Sequence, residues 1–422
     1  MSLRSAWKMV LVSAVMLSLG QAAYGQNPNV AFPVVPAGSN GPGEARPHSW
    51  MVSIVDPSAV VHGPGQTNCG PATGQNVCYY FPSDVTSAYA TAFIQNGNGG
   101  AGMTVGIVDA YYNPQTESDL AHFSTQFGLP PCTTANGCLT IVSQTGGPPT
   151  AGFNSGWAVE TNLDVQWVHA IAPNAKILLV TGTTPSFANL GTAVLYAQAN
   201  ADVVSNSYGA PEFAGETTLD FLYSGSAVPI VFSSGDTGAE SQYPCASTYV
   251  TCVGGTHLLM STTHYRTVES AWSGSGGGCS IESLAPSYQN GFSTGACGAA
   301  RGMPDVAAAA DSYTGAVVYL GSNIVGGNTG FYVIGGTSWA CPMTAAIVAN
   351  IDASRMHAGK AKLGANLAQL IYQGAAMPYY HYRYYDVTTG TSGFPAVSGW
   401  DESTGLGVPM SAALTSYLVG LP

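Results

Sequence analysis

Thr104-Val-Gly-Ile-Val-Asp109 is a short, almost wholly apolar run that ends on a carboxylate. Three further runs repeat its texture: Ala175-Lys-Ile-Leu-Leu-Val180, Asp202-Val-Val-Ser-Asn206 and Val228-Pro-Ile-Val-Phe-Ser233. Runs of this length and character suit strands buried on both faces of a parallel sheet, because they lack the alternation of a half-exposed strand. Between them lie helical segments at 115–127, 157–171 and 186–199, and a long apolar helix is expected from Thr337 to about Met356. Strands alternating with helices predict an α/β fold with a mostly parallel central sheet flanked by helices. The alternation begins at Tyr79 and no linker interrupts it, so 79–422 reads as a single large domain. No Gly-x-Gly-x-x-Gly sits between a strand and a helix, which leaves nucleotide binding without support.

The composition narrows the function. Only 8% of the 422 residues are charged and 46% are hydrophobic, with 10 Lys+Arg against 22 Asp+Glu. That hydrophobic share excludes disorder of the charged, solvated kind. Ten scattered positive charges make no basic surface, so no nucleic-acid partner is expected. Few side chains here change charge between neutral and acid pH, which suits an acidic medium.

Arg4 and Lys8 precede an apolar run at 9–20, and Ala23-Tyr24-Gly25 supplies small residues for cleavage before Gln26. Residues 1–25 therefore read as a secretory signal, too short to span a bilayer, and the mature chain is expected to be secreted, extracellular or periplasmic, with no membrane contact. Residues 26–78, rich in Pro and Gly, read as an extended leader or reduced prosegment. Eight of nine cysteines pair by proximity as Cys69/Cys78, Cys132/Cys138, Cys245/Cys252 and Cys279/Cys297. Export favours disulfides, although sequence does not fix connectivity, and no Cys-x2-Cys supports zinc. Cys341 is left over and reads as a small core residue.

Three segments carry chemistry. Gly335-Gly-Thr-Ser338-Trp-Ala-Cys-Pro342 places a serine at the start of a helix, where backbone N–H groups and the helix dipole can stabilise an oxyanion; an ordinary N-cap is the alternative. Glu160 and Asp164 are four apart on one face of an unusually apolar helix. A carboxylate pair in such surroundings should have its proton affinities pushed apart, unless the face is simply solvated. Ser233-Ser-Gly-Asp236-Thr-Gly238 sets a carboxylate in a glycine turn at the end of a buried strand, where α/β sheets build sites and where an Asx-turn is also at home.

Taken together, these motifs resemble the sedolisin family of serine-carboxyl peptidases, whose fold is subtilisin-like. The Gly336-Thr-Ser338-x3-Pro342 segment is similar to that family's nucleophile motif, Trp157-x2-Glu160-x3-Asp164 to its acidic pair, and Ser234-Gly-Asp236-x-Gly238 to its oxyanion segment. Ser207-Tyr-Gly-Ala-Pro-Glu212 and Arg301-Gly-Met-Pro-Asp-Val306 are similar to two further shared blocks. The resemblance implies a secreted acid endopeptidase acting on polypeptides, with Ser338 as nucleophile, Glu160 as general base, Asp164 tuning Glu160, and Asp236 as oxyanion donor. It also implies one structural Ca²⁺ held by the Asp386 and Asp401 side chains and the carbonyls of Val387 and Gly399, with Val397 left open as a further ligand. A monomer is expected. The rivals are a catalytically silent binding relative and a Ser-His-Asp enzyme using Asp109, for which no His-Gly-Thr segment is present. His169 reads as a structural neighbour. Sedolisins generally carry a large folded propeptide, which the short stretch 26–78 does not match.

Overall fold

The four apolar runs are adjacent members of one sheet. The computed structural model describes residues 32–33, 43–55, 69–72, 75–89, 91, 98–261, 265–376 and 378–422, so the expected signal at 1–25 lies outside the described residues. In chain order the central sheet comprises β1 (Thr104–Ala110), β2 (Leu139–Ser143), β3 (Lys176–Gly182), β4 (Val203–Asn206), β5 (Ile230–Ser233), β6 (Thr251–Met260), β7 (Arg266–Ala271) and β8 (Val306–Ala309). Their order across the sheet is β7-β6-β5-β4-β1-β3-β2, with β8 also paired to β6. All pairs are parallel except β6 with β7. β1, inside the sheet, sets Val105 beside Ile177 on one side and Val203 on the other. It is buried from Val105 onward, as its sequence requires.

Four helices position the site: α1 (Thr116–Phe127), α2 (Ser155–Ile171), α3 (Phe187–Asn200) and α4 (Thr337–His357). Each lies within two residues of its expected bounds. α2 is buried continuously from Gly156 to Ile171, which explains its missing amphipathic stripe. It is sandwiched between α4 and the strand Thr314–Val325. Trp167 meets Trp339 edge-on at 5.1 Å and donates its indole N–H to the Val317 carbonyl at 3.2 Å. That aromatic contact and its satisfied polar end fix α2 against the first turn of α4, which carries Ser338.

A second sheet runs in the order Phe32–Pro33, Trp50–Val55, Asn328–Gly335, Thr314–Val325, Gln75–Tyr80, Cys69–Ala72. Part of the stretch 26–78, expected as an extended leader or reduced prosegment, supplies strands to it. Trp50–Val55 pairs antiparallel with Asn328–Gly335, and Gln75–Tyr80 lies parallel to Thr314–Val325. A short strand Arg46–Pro47 pairs with Tyr208–Pro211. The Pro and Gly interruptions hide strands only two to six residues long, three of which find partners far along the chain.

Three of the proximity pairs are disulfides: Cys132–Cys138, Cys245–Cys252 and Cys279–Cys297. Cys78 is also disulfide-bonded, and Cys69 is its cross-strand neighbour. Cys341 is buried, and burial pushes its thiol up to about 12, so it is inert core. Among the described residues no helix is long and apolar enough to cross a membrane. The motif block Arg301-Gly-Met-Pro-Asp-Val306 contains a wholly buried bidentate pair, with Arg301 Nη1 and Nη2 donating to Asp305 Oδ1 and Oδ2 at 2.9 and 2.7 Å.

Candidate active site

Strand Asn328–Gly335 delivers the chain into α4 through Gly335 and Gly336. Gly336 has φ +121°, and a Cβ there would stand 2.1 Å from the His48 carbonyl oxygen and 2.5 Å from Asp236 Oδ2. Only glycine leaves that space open. Two residues on, Ser338 is fully buried in the first turn of α4. Its hydroxyl donates to the Ser207 carbonyl at 3.2 Å, and its backbone N–H donates to the His48 carbonyl at 3.0 Å.

The α2 pair arrives from the opposite side. Glu160 faces the hydroxyls of Ser338 and Ser49, while neither of its oxygens makes a regular hydrogen bond. One turn along, Asp164 Oδ1 accepts from Ser207 Oγ at 2.9 Å and Oδ2 is unpaired. Asp109, at the end of β1, lies close enough to act on both, and its own oxygens are unpaired as well. Burial pushes Glu160 and Asp164 well above the ordinary carboxylate range, and repulsion from Asp109 adds to it for both. Burial raises Asp109 to about 7.

Asp236 follows β5. Its Oδ1 accepts both the backbone N–H and the hydroxyl of Thr337 at 2.8 Å, which aims the unpaired Oδ2 at the space beside Gly336. Burial raises this carboxyl to about 7, with the Thr337 donors and Arg46 pulling the other way. A neutral Asp236 therefore presents a hydroxyl where the Ser338 N–H also points. A cavity of about 490 Å³, walled by Arg46, Trp50, Asp236, Trp272 and Asp311, opens beside them. A buried hydroxyl, a free carboxyl against it and two converging donors can add an oxygen to a carbonyl carbon and hold the resulting oxyanion.

All four residues expected to act together, Glu160, Asp164, Asp236 and Ser338, are thus gathered at one point. Three further contributors join them, of which the sequence reading weighed only Asp109, and only for a rival Ser-His-Asp site. Asp109 enters as a fourth carboxyl, Thr337 as the residue that orients Asp236, and Ser207 as the bridge between Asp164 and Ser338. Each stood inside a motif already quoted, but its contact depends on pairing across the sheet. His169 binds the Pro130 carbonyl at 2.7 Å and takes no part.

The four residues expected to hold calcium do not form an open cradle. Asp401 turns Oδ1 to the N–H groups of Ser403 and Thr404 at 3.0 and 2.8 Å, and Oδ2 to that of Val397 at 3.0 Å. Asp386 Oδ1 and the carbonyls of Gly399 and Leu406 converge on the Tyr380 hydroxyl at 3.0, 3.3 and 3.1 Å, and Val387 is buried among core residues. The donor types suit a hard cation, but a hydroxyl holds the point of convergence and Asp401 is committed to its own loop. The expected set Asp386, Val387, Gly399 and Asp401 therefore does not fit the ion in this arrangement.

Comparison with known proteins gives the same direction. The profile of the subtilase family (Peptidase_S8) matches residues 147–407. The chain is 30% identical to kumamolisin from Bacillus sp. (strain MN-32), over 81% of this chain and 64% of that protein. It is 27% identical to tripeptidyl-peptidase sed4 from Aspergillus fumigatus, over 76% of this chain and 64% of that protein. It thus spans a little under two thirds of the length of these relatives. A solved structure of Pseudomonas sedolisin, a serine-carboxyl proteinase complexed with two molecules of pseudo-iodotyrostatin, superposes with a TM-score of 0.69 at 24% identity, covering 81% of this chain and 98% of that one. That likeness establishes the subtilisin-like fold.

Proposed function

The chain belongs to the subtilase family, on its sedolisin branch, and from that premise we propose that it is a secreted serine-carboxyl endopeptidase hydrolysing polypeptides in acid. Ser338 Oγ attacks the scissile carbonyl, Glu160 accepts its proton and later returns it to the leaving nitrogen, and Asp164 and Asp109 hold and tune Glu160. Asp236, protonated, and the Ser338 N–H stabilise the oxyanion, and water then hydrolyses the acyl ester. The observation that carries this reading is the aim of Asp236 Oδ2 and the Ser338 N–H at one point beside Gly336, with the unpaired Glu160 carboxyl against the serine.

The chemistry accounts for acid action. Histidine, with an ordinary pKa of about 6.5, is protonated in acid and cannot serve as base, whereas a carboxyl can exchange protons there. Among the described residues no imidazole bonds to Ser338: the His48 ring is on Ser233 and the His169 ring on Pro130. An ionised Asp236 would repel the oxyanion, so the rate should fall as pH rises through about 7. The pattern at 1–25 and the disulfides support export.

The test is a pH–rate profile on an unfolded protein substrate, run beside Ser338→Ala. Activity near pH 4 that declines above 7 and is absent from the variant is expected. A flat profile from 4 to 8, or equal rates in the two proteins, would overturn the reading.

A further inference from the structure

The strand Tyr208–Pro211, which continues from Ser207, runs out into the loop Glu212-Phe-Ala-Gly-Glu216. That loop closes on a ribbon in which Gly278–Leu284 pairs antiparallel with Ala300–Met303 and Cys279–Cys297 staples the turn. The root of the ribbon lies on the segment that carries Asp236. There the Gly276 N–H donates to the Gly235 carbonyl at 2.7 Å, and a Cβ on Gly276 would stand 2.1 Å from the Ser234 carbonyl oxygen. Whatever joins loop to ribbon therefore ties the strand after Ser207 to the turn before Asp236.

Three glutamates make the joint, and they reach across it in both directions. Glu212 Oε1 accepts the Ser280 hydroxyl at 2.5 Å and Glu212 Oε2 the Ile281 N–H at 3.1 Å, while Glu282 Oε2, on the ribbon, accepts the Gly215 N–H at 3.1 Å. Glu216 completes the group. It is wholly enclosed, with Oε2 accepting the Phe213 N–H at 2.8 Å and Oε1 without a donor. The charged groups that face it are Glu212 from its own loop, within hydrogen-bonding reach, and Glu282 from the ribbon. Among the described residues no lysine, arginine or histidine forms an ion pair with any of the three. An enclosed carboxylate beside two others needs a positive partner or a proton. Glu212 already accepts at both oxygens, so the oxygen with room for a hydrogen is Glu216 Oε1, and Glu212 is the acceptor in reach. Burial accordingly raises the Glu216 carboxyl to about 8; the Phe213 N–H pulls it down, and Glu212 and Glu282 push it further up.

We propose that Glu216 and Glu212 share one proton, and that this proton is the catch of a clasp holding the ribbon 278–303 on the loop 212–216. With the proton in place the clasp is closed; once it is lost, three like charges drive loop and ribbon apart. The inference stands whether or not Ser338 is a nucleophile. Glu216 has an ordinary value of 4.5 when the clasp is open and about 8 when it is closed. Closure is therefore strongest below about 5, weakens about tenfold per pH unit up to 8, and is level above it.

The test is hydrogen exchange read by mass spectrometry on the full-length chain, carrying Ser338→Ala to silence any proteolysis, from about pH 5 to about pH 9 and corrected for the intrinsic rate. In segments 212–219 and 278–284 protection should fall about tenfold per unit up to 8 and then level off. Glu216→Gln keeps an oxygen for the Phe213 N–H and offers Glu212 an amide donor at every pH. Its protection should lose that slope and at pH 8 exceed the unsubstituted chain's by about tenfold or more. Glu282→Gln removes a facing charge but not the shared proton, so the slope should remain. A flat response in the unsubstituted chain, the same slope in Glu216→Gln, a Glu216→Gln ribbon unprotected at every pH, or a slope lost in Glu282→Gln would each overturn the clasp. So would recovery of protection at pH 8 on adding CaCl₂, since the carboxylates would then share a cation and not a proton.

Discussion

Arg301 and Asp305 are as deeply buried as Glu160 and Asp164, yet the two pairs are built in opposite ways. Asp305 takes both guanidinium nitrogens of Arg301 and the backbone N–H of Cys252, and Arg301 also reaches the carbonyls of Ser247 and Gly302. Around Ser338, by contrast, Glu160 and Asp109 leave both oxygens unpaired, and Asp164 and Asp236 leave one each. Both regions are polar islands in an apolar core. The first is saturated and serves as a structural pin; the second is held short of partners, so that its protons remain available. Where a fold buries polar groups and leaves them unsatisfied, chemistry is the better explanation than stability.

Substitution should separate the two. Glu160→Gln removes the proposed proton acceptor and keeps the shape, so the rate on unfolded protein should drop about 10⁴-fold or more, while urea unfolding at pH 7 shows equal or greater stability. Loss of stability without loss of activity would contradict the contrast. Arg301→Met does the reverse: it strands Asp305 and should cost about 3–5 kcal/mol in urea unfolding, much of which is recovered when Asp305→Leu is added. A neutral effect of the single change would show that the pin is not one.

Protons provide a finer probe. Asp109 and Asp236 stand near 7 in the folded protein against an ordinary 3.8, so their contribution to stability is full below about 4 and is lost as pH rises towards 7. The expected slope is about 1.4 kcal/mol per pH unit for each group. His48, depressed from 6.5 to about 3, works in the other direction and offsets one carboxyl. Urea midpoints at pH 4.5 and pH 7 measure the balance, which should favour acid; a higher midpoint at pH 7 would mean the cluster is not held protonated. The smallest effect concerns the C-terminal loops. With Tyr380 satisfying Asp386 and backbone donors satisfying Asp401, EDTA should move Tm by no more than about 1 °C, and a drop of many degrees would show that calcium displaces the tyrosine.

The central sheet was legible because its strands are short, apolar and buried on both faces, and the helices carrying Glu160, Asp164 and Ser338 were bounded to within two residues. The motifs brought out these side chains because helical spacing and glycine turns are local properties. What escaped was long-range. Asp109 reads as the end of a strand until β1 is placed beside α2, and Trp50–Val55 reads as leader until it pairs with Asn328–Gly335. Composition misled at the front, since Pro and Gly there punctuate strands that the rest of the domain completes.

The burial of α2 has a last consequence. With every residue from Gly156 to Ile171 enclosed, the helix that spaces Glu160 and Asp164 has no outward position where change could accumulate without disturbing the core. The reactive apparatus is in effect shielded from drift, and new preferences for substrate have to arise elsewhere. The cleft walls at Arg46 and Thr237, which reach solvent, can vary while the machinery behind them stays still.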